Sequence, residues 1–371
     1  MKIIADANMP GLEVFARHGE VVTVEGRHIN QDTVAEADAL LVRSVTRVNA
    51  SLLAKSPVRF IGSATIGTDH VDRQWLVDTG RVFAHAPGCN ARAVAEYVLQ
   101  ALLWVCQQQG KSAASLSAGV VGMGNVGRRV ARWLSALGLT VRACDPPLAE
   151  LGEDVGYTLE SISDVLSCDV VTLHVPLSDT GRYPTRHLLD QERLVAMGAE
   201  KILINTCRGP VVDNVALEQL LAEGSGPATV LDVWENEPHV PASLLDRVVL
   251  GSPHIAGYSL QGKENGTAMV YEAFCRWLGA TPQVSDNPGT LPVLEQNVAS
   301  EADLLALLQQ AYPLPEDHRR LRASLAATDP AAAFDLLRKE YPLRQELHRW
   351  NWQGSASEPY QKILSALFER A

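Results

Sequence analysis

Sulfur chemistry is scarce in this chain: its six cysteines, Cys89, Cys106, Cys144, Cys168, Cys207 and Cys275, are scattered and form no CxxC pair. That argues against a disulfide framework or a thiolate metal site and for reduced thiols, and no metal is expected. Positive charge is also short. Thirty-two Lys and Arg stand against 43 Asp and Glu, a formal charge of -11, so the overall field opposes nucleic acid and anionic membranes, and an anionic ligand must be held by local cations. Long apolar runs are missing: the helical stretch around Tyr97 to Cys106 is broken by Glu96 and Gln100 and is too short to span a bilayer. No basic-then-apolar leader is visible at MKIIADANMP, and no repeat or low-complexity tract follows. The expectation is a cytoplasmic chain with neither membrane nor nucleic-acid partners. What remains is 371 residues with 46% hydrophobic content, enough for a sizeable core and two or three domains.

The strongest motif is VVGMGNVG, Val120 to Gly127. Its glycines Gly122, Gly124 and Gly127 stand between an apolar strand-like run from Ala118 and a helical pattern from Arg128 to Leu137, and Asp145 follows Gly127 by 18 positions at the end of TVRACD. A lone GxGxxG is usually an ordinary turn. In this context it predicts a dinucleotide site: Gly122 for the tight turn, Gly124 for close approach of a pyrophosphate, Gly127 for helix packing, with Asn125 and Val126 completing the loop. Asp145 would accept the adenosine ribose hydroxyls and repel a 2'-phosphate, and Pro146 and Pro147 supply no cation, so the expected cofactor is NAD.

Upstream, KIIAD, EVVTV, ALLVRS and VRFIGS alternate with helical patterns at Pro10 to His18, Val34 to Ala37 and near Leu52, the signature of a parallel sheet flanked by helices. A long helical pattern from Ala93 to Gln109 precedes the nucleotide unit, which continues through DVVTLHV, KILINT, ATVLDV and VVLGSPH. These runs end in His174, Thr206, Asp232 and His254, beyond strand carboxyl ends where ligands bind in open α/β sheets. A helix from Leu260 to Leu278 would return the chain to the first domain. The expected fold is α/β, two doubly wound parallel-sheet domains (a flavodoxin-like substrate domain, 1–93 and 257–280, and a Rossmann NAD domain, 94–256). A linker at 281–292 and a small C-terminal α+β domain at 293–371 complete it.

Arg208 in INTCRGPVVD, Glu237 in LDVWENEP and His254 in GSPHIAGY recur at strand ends in the order Arg, Glu, His. Taken singly, each is an ordinary strand-end histidine, turn carboxylate or loop cation. Together, and with PGCNARAVAEYV upstream, they resemble the D-isomer-specific 2-hydroxyacid dehydrogenases over roughly Met1 to Gly279. The resemblance implies Arg208, Glu237 and His254 as catalytic residues, and the chemistry fits. A histidine suits removal of an alcohol proton, a carboxylate on its other nitrogen fixes the tautomer, and an arginine fork suits a substrate carboxylate. Glu235 is the rival carboxylate; Glu237 matches the family's glutamate before proline.

DADALLVRSVTRVN, ATIGTDHVD and HIAGYSLQGK resemble a branch of that family whose substrate is a small phosphorylated hydroxy acid and which carries a C-terminal dimerisation domain. By that resemblance Ser44, Thr65 and Tyr258 touch substrate, and Asp145, Thr206, Cys207, Asp232 and Gly257 line the NAD site of a homodimer. Arg43 and Arg47, flanking Ser44 and Thr46, offer cations and hydroxyls in one loop for a phosphate. The alternatives are another D-2-hydroxyacid dehydrogenase, for example on 3-phosphoglycerate, and a dinucleotide-sensing protein of co-repressor type.

Overall fold

The computed structural model describes residues 1–283 and 291–370, so the expected linker falls largely outside them. The chain divides into two compact units: the first holds Met1–Asn90 and the stretch that begins at Ser259, the second Ala91–Tyr258 and the C-terminal segment.

The first unit is built on five strands, β1 (Lys2–Asp6), β2 (Glu20–Val24), β3 (Ala39–Val42), β4 (Phe60–Ser63) and β5 (Val82–His85). They are all parallel in the order β2-β1-β3-β4-β5, the flavodoxin-like arrangement. β3 and β4 are buried throughout, as strands covered on both faces must be. The helix Leu260–Leu278 returns to this unit, and its Val270, Tyr271 and Phe274 pack with Phe15 and Phe60. Two local expectations change. Pro10 to His18 tightens into a 3-10 helix, Leu12–Arg17. Val34 to Ala37 lies in turns, because Asn30 just upstream accepts from the Asp32 and Thr33 N–H groups and its own N–H donates to Thr33, a local alternative to helix.

The second unit holds β6 (Ser117–Val121), β7 (Thr140–Cys144), β8 (Val170–Leu173), β9 (Ile202–Asn205), β10 (Ala228–Leu231) and β11 (Leu250–Gly251). They are parallel in the order β11-β10-β9-β8-β6-β7. A single parallel bridge from Ala143 to Leu159 stands where the outermost strand of a full Rossmann half would lie. The chain reverses direction across the sheet between β6 and β8, which puts the glycine loop after β6 at the switch point.

The C-terminal segment forms a small α+β layer in this same unit. β12 (Val293–Glu295) pairs with β13 (Asn351–Gln353), and the segment adds helices Glu301–Ala311, Leu314–Ser324, Pro330–Lys339 and Glu358–Phe368, of which the second and third place Leu321 and Phe334 in the core of the nucleotide sheet. Its leucines join the core of the long helix Ala91–Gln109: Leu304, Leu307, Leu308 and Leu367 share one apolar cluster with Tyr97, Leu102 and Val105. Polar ties reinforce it. The Glu301 carboxylate accepts from the Ala113 and Ala114 N–H groups and the Ser112 hydroxyl, and Gln100 donates to Tyr312 O at 2.7 Å.

Candidate active site

The glycine loop has a distinct job at each position. Gly122 has φ +92°, and a Cβ there would lie 2.6 Å from the His174 carbonyl oxygen, so the tight turn admits glycine only. At Gly127 a Cβ would meet the Gly122 carbonyl oxygen at 1.8 Å, which seats the helix Asn125–Leu137 directly on the loop. At Gly124 a Cβ would meet nothing within 4 Å. This open cradle at an uncapped N-terminus of a 13-residue helix is where a pyrophosphate fits. Asp145 stands at the end of β7; its carboxylate accepts from Met123 N at 2.8 Å and Leu148 N at 3.1 Å. It thereby ties the glycine loop to the next helix while remaining partly exposed.

Beyond β9, Thr206 presents a buried hydroxyl with no hydrogen-bond partner, as a group waiting for a ligand does. Cys207 is buried, and burial pushes its thiol up to about 11; the thiol lines space without being a nucleophile. Asn205 was not singled out from the sequence, yet its carbonyl accepts from Cys207 N and its amide donates to Arg208 O. It therefore sets the backbone that carries Arg208. A Cβ on Gly209 would lie 2.0 Å from the Trp234 carbonyl carbon, so the loop after β9 runs directly against the loop after β10.

That second loop delivers Glu237. Its Oε1 accepts from Trp234 N at 2.9 Å and its Oε2 lies 2.8 Å from His254 Nδ1. Burial alone would raise the Glu237 carboxyl. The charge and hydrogen bond of His254, then Arg338 and the Trp234 N–H, bring it below its ordinary value, so a carboxylate faces the ring. Glu235, the rival, points elsewhere: it lies 2.6 Å from His187 Nε2 and accepts from Asn214 N. With Asp213 these two form the one His/carboxylate group among the described residues whose candidate ligand atoms all lie within 4.8 Å of one another.

His254 adopts φ +57°, uncommon for a non-glycine residue and worth roughly 1–3 kcal/mol of local strain. The surroundings hold it there. Its N–H donates to Asp232 O at 2.7 Å, and the buried Asp232 carboxylate accepts from Ser252 Oγ, Ile255 N and Ala256 N. The structure thus occupies Asp232 in shaping the loop that presents His254. Burial raises its carboxyl, with His254 and these hydrogen bonds pulling the other way. Trp234 Nε1 donates to Ser252 O and Tyr97 Oη lies 2.7 Å from Ser252 Oγ, joining the Glu237 and His254 loops to the long helix. Gly257 and Tyr258 follow directly, with Tyr258 edge-on to Tyr341 at 6.0 Å.

In the first unit, the RSVT loop differs from expectation. Thr46 is buried and donates to Gly26 O at 2.7 Å, so its hydroxyl is turned away from any ligand. Arg43 Nε lies 3.2 Å from the buried carboxylate of Asp6, which orients the guanidinium, while Ser44 and Arg47 are exposed. Thr65 shares its hydroxyl with Ser63 Oγ and Gly67 O. Lys263, in the first turns of Leu260–Leu278, is a cation the sequence reading passed over. Burial first, and the charge of Arg43 second, lower its pKa, a pairing of like charges that an anion would relieve.

Comparison with known proteins gives consistent results. Residues 91–256 match the family model described as D-isomer specific 2-hydroxyacid dehydrogenase, NAD binding domain, and residues 292–367 match a domain of unknown function. The erythronate-4-phosphate dehydrogenase of Marinobacter nauticus is 46% identical over 356 residues, 93% of each chain. That of Serratia proteamaculans is 47% identical over 355 residues, again 93% of each. Among solved structures, the TT0316 protein of Thermus thermophilus covers 76% of this chain and 98% of its own at TM-score 0.64 and 27% identity. NAD-bound 3-phosphoglycerate dehydrogenase of Entamoeba histolytica shares the fold at TM-score 0.64 and 21% identity, over 77% of this chain and 99% of its own.

Proposed function

This chain belongs to the erythronate-4-phosphate dehydrogenases of the D-isomer-specific 2-hydroxyacid dehydrogenase family, and from that premise we propose that it oxidises 4-phospho-D-erythronate at C2. The product is (R)-3-hydroxy-2-oxo-4-phosphonooxybutanoate, a step toward pyridoxal 5'-phosphate. The observation that carries this reading is likeness to such enzymes over 93% of the chain, joined to a buried carboxylate 2.8 Å from a strand-end imidazole.

NAD supplies a hydride acceptor when bound. Gly122, Gly124 and Gly127 with Asn125 and Val126 would hold its pyrophosphate, Asp145 its ribose hydroxyls, and Thr206 and Cys207 would form the neighbouring wall. His254 takes the C2 hydroxyl proton on Nε2 as the hydride leaves. Glu237 holds Nδ1, so the ring presents its basic nitrogen outward and the imidazolium that forms meets a fixed negative charge. Arg208 anchors the substrate carboxylate as a planar fork. Arg43, Ser44, Arg47 and Lys263 supply charge for the phosphate, and Tyr258 and Thr65 line the substrate's path.

The same reading makes the protein a cytoplasmic homodimer. No described helix is long and apolar enough to cross a membrane. The C-terminal segment buries most of its leucines within its own unit but leaves Leu336 and Leu343 49% and 74% exposed, apolar surface suited to a second copy.

The test is NADH formation by the purified protein with 4-phospho-D-erythronate, erythronate and 3-phosphoglycerate, with a 2-oxo acid present as oxidant in a parallel assay. Preferred turnover of 4-phospho-D-erythronate is expected. Faster turnover of 3-phosphoglycerate would make it a different dehydrogenase, and NAD binding without turnover of any hydroxy acid would favour a sensing role.

A further inference from the structure

Arg338 lies in the last turn of Pro330–Lys339, far along the chain from the family-model match at 91–256. Its guanidinium sits over the Tyr258 ring at 5.5 Å and over its own helix neighbour Phe334 at 5.9 Å. Its Nε is buried with no hydrogen-bond partner. Burial works against its charge, but Tyr258, Glu237 and Asp335, together with a side-chain hydrogen bond to Tyr258, outweigh that and hold the guanidinium firmly protonated. Seen from the carboxylate, the charged groups that act on Glu237 are His254 and Arg338. Tyr258 is flanked on its other side by Tyr341, whose hydroxyl donates to Asp317.

We propose that Arg338 is a positioning residue of the reaction: it fixes the Tyr258 phenol and places a permanent positive charge beside the Glu237–His254 pair. The C-terminal domain, matched only to a domain of unknown function, then does more than assemble subunits. It completes the site on the NAD-binding unit. This rests on reading His254 and Glu237 as the proton-handling pair. A cation next to that pair disfavours its protonated form, so the pair stays ready to accept the substrate proton at lower pH than it otherwise would.

Arg338→Met keeps the aliphatic stem packed on Phe334 and Tyr258 but removes the charge, and Arg338→Lys keeps the charge. In the full-length protein, the acid limb of kcat/KM for oxidation should move to higher pH in Arg338→Met by roughly half to one unit, a 3- to 10-fold loss at the acid end that recovers at high pH. Arg338→Lys should leave the limb near wild type. The carbon-bound proton of the His254 ring, followed by NMR without substrate, should report the same upward movement, so the inference can be read even if 4-phospho-D-erythronate is not the substrate. An equal loss at every pH with an unmoved NMR titration would mean that Arg338 only packs the fold, and would overturn the proposal. If Arg338→Met does not fold, Arg338→Gln serves the same two measurements with the same deciding outcomes.

Discussion

Replacing Gly127 and Gly124 separately with alanine should split the motif into a folding part and a binding part. At Gly127 the new Cβ would lie 1.8 Å from the Gly122 carbonyl oxygen and 3.0 Å from its carbon. These are backbone atoms that no rotamer change can remove, so the helix Asn125–Leu137 must shift outward. Overpacking of this kind costs roughly 1–3 kcal/mol, which in a domain of this size lowers Tm by about 2–12 °C. At Gly124 the new Cβ has nothing within 4 Å to strike, and the backbone there, φ -74°, suits alanine. The loss of a good N-cap residue costs at most about 1 kcal/mol, so Tm should fall by about 4 °C or less. Binding should show the reverse emphasis. A methyl standing between the loop N–H groups and the pyrophosphate lengthens charge-assisted hydrogen bonds worth about 1.5–3 kcal/mol each, so Gly124→Ala should bind NAD at least about tenfold more weakly, a loss of about 1.4 kcal/mol. Thermal unfolding of the NAD-free protein by circular dichroism and NAD titration by calorimetry provide the two readings. Wild-type NAD affinity in Gly124→Ala would show that the pyrophosphate lies elsewhere, and an unchanged Tm in Gly127→Ala would refute the steric argument.

Four further outcomes are expected. In Glu237→Gln the imidazolium of His254 loses its fixed anion, so the rising limb of alcohol oxidation, which needs the neutral ring, should move to lower pH while keto reduction weakens near neutrality; an unchanged pair of pH profiles would remove Glu237 from the mechanism. Asp145→Ser should narrow the preference for NAD over NADP in steady-state kinetics, and a wild-type preference for NADP would contradict the role assigned to that carboxylate. Removing a direct phosphate cation, by Arg43→Ala, Arg47→Ala or Lys263→Ala, should lower kcat/KM for 4-phospho-D-erythronate by roughly 10- to 150-fold and for erythronate by less. Equal losses on both substrates would assign that residue to the fold, an outcome the Asp6 pairing makes most pertinent for Arg43. Sedimentation at micromolar concentration should show a dimer that weakens in Leu343→Asp, whose native side chain is exposed; a monomeric wild type would end the dimer reading.

The parallel strands at the heart of both sheets were readable because strands buried on both faces appear as unbroken apolar runs; ALLV and ILIN are examples, and each is buried along its whole length. β5 escaped notice because VFAH is partly exposed and short, and the strand position at Leu159 is reduced to one bridge, too little to leave a period. The Glu237–His254 pair followed from residue order, and the structure brings those two together. Which hydroxyl of the RSVT loop turns inward did not follow, because Thr46 is directed by a carbonyl 20 residues upstream. Arg338 was invisible for the same kind of reason. In an Ala-rich helix with charged neighbours it reads as solvent-facing, and only tertiary packing places it over Tyr258.

Arg344 is buried, stacked on Tyr312 at 3.9 Å, and donates to Ala93 O at 2.8 Å and Ala256 O at 3.0 Å. Those two carbonyls lie within three residues of the points where the chain enters and leaves the second unit. A single guanidinium, 88 or more residues further along the chain than either carbonyl, therefore ties the backbone beside two of the crossings together. The first unit likewise waits for Val270 and Phe274 to cover Phe15 and Phe60. During translation, at about 5–20 residues per second, the N-terminal sheet must persist without its covering helix and the nucleotide sheet without its C-terminal leucines. The first core closes once Val270 and Phe274 have emerged, the second only after Leu364 and Leu367.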